Sequence, residues 1–151
     1  MKPMEKLLNP NQEVMDFRKF NLLFMILLSF ITLGAYIGVW FLQHKQRFEE
    51  FSQKTKLYFG WWKFFTIFSF VFLFIKLFGS MVLSEYGIVN IQSYETIFNF
   101  FFIGLLYYSI FRLKDCLEEE YDLYLNKYLL FFFHIFYIQF KLNQVHSTSE
   151  R

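Results

Sequence analysis

Four apolar runs alternate with polar stretches along the chain. Phe20 to Leu42 is the first, Trp61 to Ser84 the second, Ile97 to Leu113 the core of the third, and Tyr124 to Phe140 the last. A straight helix needs roughly 20 apolar residues to cross the hydrocarbon of a bilayer, and a run of roughly 10–14 suggests another role. By that measure the second run crosses. The third is long enough if it starts near Ile91. Lys127 leaves the last run uninterrupted only from Tyr128 to Ile138. The first is long enough, but Gly34 and Gly38 fall in its second half.

The polar stretches decide how these runs connect. Residues 1–19 form a polar start with Pro3 and Pro10, expected to be cytoplasmic. Gln43 to Lys56 carries both signs of charge and reads as a helix leaving the membrane or lying along it. Trp61 and Trp62 open the second run as an interfacial anchor, with Lys63 beside them. Residues 85–95 read as a short linker with Gly87 and Asn90. Lys114 to Asp122 reads as an acidic linker, and residues 144–151 as a polar tail. A single helical membrane domain is therefore expected over residues 20–143.

Basic residues favour the cytoplasmic side of short loops. Lys2, Lys6, Arg18 and Lys19 precede the first run, and Lys45, Arg47, Lys54 and Lys56 follow it. Arg112, Lys114 and Lys127 flank the acidic linker, whereas residues 85–95 hold no Lys or Arg. Four plain crossings would divide these charges almost evenly between the two sides. If the first run enters and leaves on one side, every basic loop is cytoplasmic. The expected fold is thus an all-α membrane protein with two firm transmembrane helices, a broken or re-entrant first segment and a short closing segment. Four plain transmembrane helices are the alternative. Re-entrant backbone must be covered by protein or water, because lipid cannot satisfy its polar groups. Close packing of the first segment against the others follows.

Composition agrees with a bilayer. Hydrophobic residues make up 56% of the 151 positions and charged residues only 19%, too few to cover a soluble core of this size. Net charge is +2, with no basic stripe beside a soluble module, so nucleic acid is not an expected partner. Cys116 is the one cysteine and reads as a reduced, incidental thiol. Glu5, Glu13 and Asp16 precede the first run and no small-residue cleavage site follows it, so it is expected to act as an uncleaved membrane signal.

Chemistry-bearing residues are sparse. Lys76 lies inside the second run, where a cation is costly. Its plain reading is snorkelling to the outer interface on a long stem. Its sharper reading is an anion site or a partner for Glu85 or Glu95. His134, in the last run, reads as a hydrogen bond to a neighbouring helix, or more sharply as a proton relay or a ligand. Asp115, Glu118, Glu119, Glu120 and Asp122 read as a solvated helix face. No histidine pair has zinc spacing, so neither metal nor cofactor is expected. No nucleophile elbow, phosphate loop or intramembrane carboxylate pair is present, and an enzyme is not expected. Hydroxyls such as Ser69, Ser80 and Ser109 are expected to bond back into their own helices.

Two clusters stand out. In the first, Ser29, Thr32, Gly34, Tyr36, Gly38 and Trp40 combine small and hydroxyl residues with interfacial aromatics, suiting a tight turn or close helix contact. In the second, Gln139 and Asn143 share one helix face after Tyr137. That face is expected to meet backbone freed by a break in the first segment. The Leu-Ser-x-x-Thr-x-Gly-x-Tyr-x-x-x-Trp spacing from Leu28 to Trp40 resembles the opening of domain-of-unknown-function family 4234. The Tyr-x-Gln-x-x-x-Asn spacing from Tyr137 to Asn143 is similar to an ending seen in the same family. The resemblance covers residues 20–143. It implies a small, mostly bacterial, multi-helix membrane protein, with no activity attached.

The expected function is a non-enzymatic membrane scaffold or modulator of partner proteins. A small oligomeric channel or transport subunit, with Lys76 or His134 lining a polar path, is the alternative. The bilayer is the expected partner, with a second copy or another membrane protein beside it. The expected location is a cell membrane, the bacterial inner membrane, with the basic loops cytoplasmic.

Overall fold

A computed structural model describes residues 19–50 and 59–149. Except for Lys19, the polar start lies outside the described residues, as do Lys54, Lys56 and the last two residues of the tail. Among the described residues the fold is all-helical. The elements are α1 (Leu22–Ile31), α2 (Ala35–Gln43), α3 (Lys45–Glu50), α4 (Phe59–Val82), α5 (Glu85–Tyr121) and α6 (Lys127–Ser149).

The first apolar run is two helices. Asn21 caps α1, its side-chain oxygen accepting from the Leu23 N–H. The helix ends in a Schellman turn: Gly34 N–H donates to the Ser29 carbonyl at 2.8 Å and Leu33 N–H to Phe30 at 3.2 Å. This turn places Leu33 at φ 50° and Gly34 at φ 91°. A glycine tolerates that angle without steric cost, which is why the break falls here. The Thr32 hydroxyl then joins the two helices. It donates to the Leu28 carbonyl at 2.7 Å and accepts from the Tyr36 N–H at 3.0 Å. Gly34 is the N-cap of α2 but has no side chain to cap with, and Thr32 supplies the missing acceptor.

Helices α4 and α5 are long and apolar enough to span a membrane. At 1.5 Å per residue, the 24 residues of α4 run about 36 Å and the 37 of α5 about 55 Å. A two-residue turn, Leu83 and Ser84, joins them. The Ser84 hydroxyl accepts from Gly87 N–H, and Glu85 in the first turn complements the helix dipole. The linker expected over residues 85–95 is therefore helix. Asn90, Gln92 and Ser93 occupy its exposed surface, and Ser93 and Thr96 donate to the Val89 and Gln92 carbonyls of their own helix. The acidic linker is also mostly helix. Glu118 pairs with Lys114 at 2.6 Å, one turn away, and α5 continues to Tyr121 before Asp122 turns left-handed at φ 53°. The connection is residues 122–126. Glu118 accepts from Leu125 N–H there, and the Tyr137 hydroxyl accepts from Asn126 N–H.

The closing segment, α6, is longer than its apolar run and continues through most of the expected tail. It is broken at His134, whose φ of 46° and ψ of −127° are non-helical. The Tyr107 hydroxyl donates to the Phe131 carbonyl at 3.2 Å, one of the acceptors such a break releases.

The core sits at one end of the molecule. Trp40 and Phe41 of α2, Trp62 of α4, Ile110, Leu113 and Leu117 of α5, and Leu130, Ile135 and Ile138 of α6 are fully buried there. Cys116 is buried among them rather than lying with the charged residues of its neighbourhood. At the other end the second half of α4 and the first half of α5 form a two-helix arm. Its large apolar side chains are exposed, Met81 and Val82 at 81% and 83%.

Candidate functional site: interhelical polar contacts and the Lys76–Glu95 cavity

The two sequence clusters meet in the core. The Trp40 indole N–H donates to the Gln139 side-chain oxygen at 2.9 Å, joining residues 99 positions apart. The Gln139 amide donates to Asn143 Oδ1 at 2.9 Å, and the Asn143 amide donates to the Phe20 carbonyl at 2.8 Å. The i, i+4 spacing on α6 makes this relay possible: Gln139 meets α2 and Asn143 the chain just before α1. The partner differs from the expected one. The backbone released near Gly34 is satisfied by the Schellman turn and Thr32, so Gln139 takes an indole instead. Tyr36 is buried near the break, and Ser29 leaves its hydroxyl buried without a hydrogen-bond partner.

A second contact fastens α2 to α4. A Cβ added at Gly38 would overlap the Thr66 hydroxyl and lie 3.1 Å from the Thr66 Cβ. Glycine there lets the two helices approach. Thr66 donates to the Trp62 carbonyl at 2.6 Å. Trp62 stacks on Phe41 with ring centroids 4.0 Å apart, and its indole donates to the Ser109 hydroxyl at 2.9 Å. These findings correct one sequence reading and add a partner to another. Trp61 is exposed, but Trp62, expected to share its interfacial role, is a core residue. Ser109, expected to bond back into its own helix, also accepts from another helix. The signal available in sequence was the spacing of Phe59, Trp62, Phe65 and Thr66, which lie on one helical stripe.

Near the kink, His134 Nε2 lies 2.9 Å from the Tyr107 hydroxyl. Since that hydroxyl donates to the Phe131 carbonyl, it accepts from His134 in the Nε2–H tautomer. Tyr137, besides receiving Asn126 N–H, lies with its ring 6.0 Å from the Lys141 ammonium. Among the described residues no group of His, Cys, Asp and Glu is placed to hold a metal ion.

Lys76 does not extend alone toward an interface. Its ammonium meets Glu95 of α5 at 2.7 Å, with side-chain exposures of 46% for Lys76 and 16% for Glu95. The pair borders a cavity of about 150 Å³ in the arm. Ser80 and Gln92 complete its polar lining, and Phe72, Ile75, Ile88 and Ile91 its apolar wall. Glu95 also borders a smaller space of about 20 Å³, beside Ser69, Asn99 and Leu33 of the α1–α2 break. That is room for about one water molecule. Ser69, Lys76, Ser80, Gln92, Glu95 and Asn99 thus line two adjoining spaces between α4 and α5, reaching from Ser80 down to the break.

No protein-family profile, no curated protein and no solved structure matches this chain.

Proposed function

We propose that the chain is embedded in a bilayer by α4 and α5 and acts there as a non-enzymatic scaffold or modulator of partner proteins. One observation carries the membrane placement. Only 17% of the most apolar stretch of α4 and 22% of that in α5 is buried against the rest of the chain. A core helix of a soluble protein would be mostly covered. Exposed phenylalanine and leucine over two such helices need an apolar solvent.

Lengths support the re-entrant reading of the first segment. With 10 and 9 residues, α1 and α2 each run only about 14–15 Å, half the hydrocarbon thickness. A helix in, a Schellman turn and a helix out fit that depth. At the first break the Leu28, Ser29, Phe30 and Thr32 carbonyls accept hydrogen bonds, and at His134 the Phe131 carbonyl accepts one from Tyr107, which lowers the cost of such backbone in lipid. Sidedness follows from the basic loops, and the resemblance to domain-of-unknown-function family 4234 belongs to the same proposal.

The scaffold reading rests on how the inner polar side chains are used. Gln139, Asn143 and Ser109 hydrogen-bond across segments, and Thr66 packs against Gly38 of the neighbouring helix. The outer cavity favours a second reading, a small oligomeric channel or transport subunit with Lys76 on its path. Proteoliposomes of the purified chain separate the two. The expected ion flux equals that of empty vesicles. A flux that Lys76→Leu abolishes would replace the scaffold by the channel.

A further inference from the structure

We propose that the Lys76–Glu95 cavity binds a zwitterion that carries a phosphate and a primary ammonium, the chemistry of an ethanolamine phospholipid headgroup. This rests on the bilayer placement of α4 and α5. Lys76 lies six residues before Val82, about 9 Å along the helix from the end of the arm. At that depth an ion pair that is half exposed on its cationic side is expensive to leave facing hydrocarbon. It needs a polar cover.

The chemistry of the cover follows from the pair. An isolated lysine would select an anion, but Glu95 stands 2.7 Å away and repels one. An isolated glutamate would select a cation, and Lys76 opposes that. A molecule with both charges completes an alternating set of four. Capacity remains for it. The ammonium has three donors and the carboxylate about four acceptor positions, of which their mutual contact uses one each. The Gln92 amide and Ser80 hydroxyl add neutral donors and acceptors in the same cavity. The isoleucines and Phe72 on its wall suit the apolar stem of a lipid. The chemistry could come from a lipid headgroup or from free phosphoethanolamine, and the experiment tells them apart.

The full chain is reconstituted in nanodiscs made from equal parts of phosphatidylethanolamine, phosphatidylglycerol and phosphatidylcholine. Lipid retained on the protein is then read by native mass spectrometry. Phosphatidylethanolamine is expected to be enriched about tenfold over the other two, a difference of about one contact between charged groups. Lys76→Leu and Glu95→Gln each remove the enrichment, and Glu95→Gln shifts retention toward phosphatidylglycerol. The joint removal of both charges, Lys76→Met with Glu95→Gln, controls for folding: no unpaired ion remains, so it keeps the melting temperature but loses the enrichment. A second arm adds phosphoethanolamine to nanodiscs of phosphatidylcholine alone. A rise in melting temperature that Glu95→Gln cancels assigns the site to the free zwitterion. Retention in proportion to the lipid mixture with no such rise, or enrichment unchanged in both single variants, overturns the proposal and leaves the ion pair a purely structural link. Protein recovered outside the discs counts against the bilayer placement instead, a separate failure.

Discussion

Gln139 has no exposed surface, and its amide is bonded at both ends. Its oxygen serves the Trp40 indole and its nitrogen serves Asn143. Gln139→Leu would leave a buried N–H on Trp40 and a partly buried oxygen on Asn143 without their present partners. An unsatisfied buried group costs about 1–3 kcal/mol, so thermal unfolding in detergent should show a clear loss. Trp40→Phe removes the other partner, and the double variant should lose less than the sum of the two singles. Strict additivity would mean that the contact contributes nothing. Gly38 makes the opposite kind of demand, for absence of a side chain. Gly38→Ala forces a methyl onto Thr66 and should cost about 1–3 kcal/mol by overpacking. Thr66→Ala removes the colliding hydroxyl and should restore part of the loss. No restoration would place the cause elsewhere.

At the scale of an element, the instructive feature is how a helix is broken without leaving its backbone exposed. Thr32 bridges the α1–α2 break with one hydroxyl that donates backward and accepts forward. Thr32→Val keeps the shape and removes both bonds. The expected loss is roughly 0.5–2 kcal/mol, the range for a lost cap, while Thr32→Ser retains most of the stability. Equal stability of the Val and Ser variants would show that the hydroxyl is not what joins the helices. The His134 break uses a different device. The needed hydroxyl comes from Tyr107 on another helix, so this kink depends on α5 being in place. One break is thus local and the other tertiary. Helix α5 shows a further effect of capping. A serine at Ser84 and a salt bridge at Lys114–Glu118 extend one helix through stretches whose polar residues suggested linkers.

For the whole molecule, the arrangement is a packed base of α1, α2 and α6 against the inner halves of α4 and α5, with an apolar two-helix arm rising from it. Placed in a bilayer, this predicts a defined accessibility pattern. In a Cys116→Ala background, cysteine at Glu85, in the first turn of α5, should react with an impermeant reagent from outside. Cysteine at Lys45 should react only from the cytoplasmic face. Labelling of position 45 from outside would reverse the re-entrant topology. The exposed apolar residues of the arm carry the same prediction at low resolution. An alkaline carbonate wash should leave the chain in the membrane pellet, and release into the supernatant would remove the bilayer reading.

Sequence alone determined the all-helical class, the two helices able to span a membrane, and the weak point in the first run. Each depends on local properties: length of an apolar run, and the tolerance of Gly34 for a left-handed angle. The i, i+4 placement of Gln139 and Asn143 was equally readable, because a helix sets it without outside help. Which groups those amides would meet was not. Trp40, Trp62 and Ser109 could have faced an interface, lipid or their own helix, and only the packing of α2, α4 and α5 chose the core. Lys76 likewise had two open fates. The turn at Leu83–Ser84 brought Glu95 level with it, and tertiary geometry made an ion pair of a residue that by itself reads as a snorkelling cation. Partner choice is a non-local quantity, and periodicity along one chain segment carries no information about the segment that packs against it.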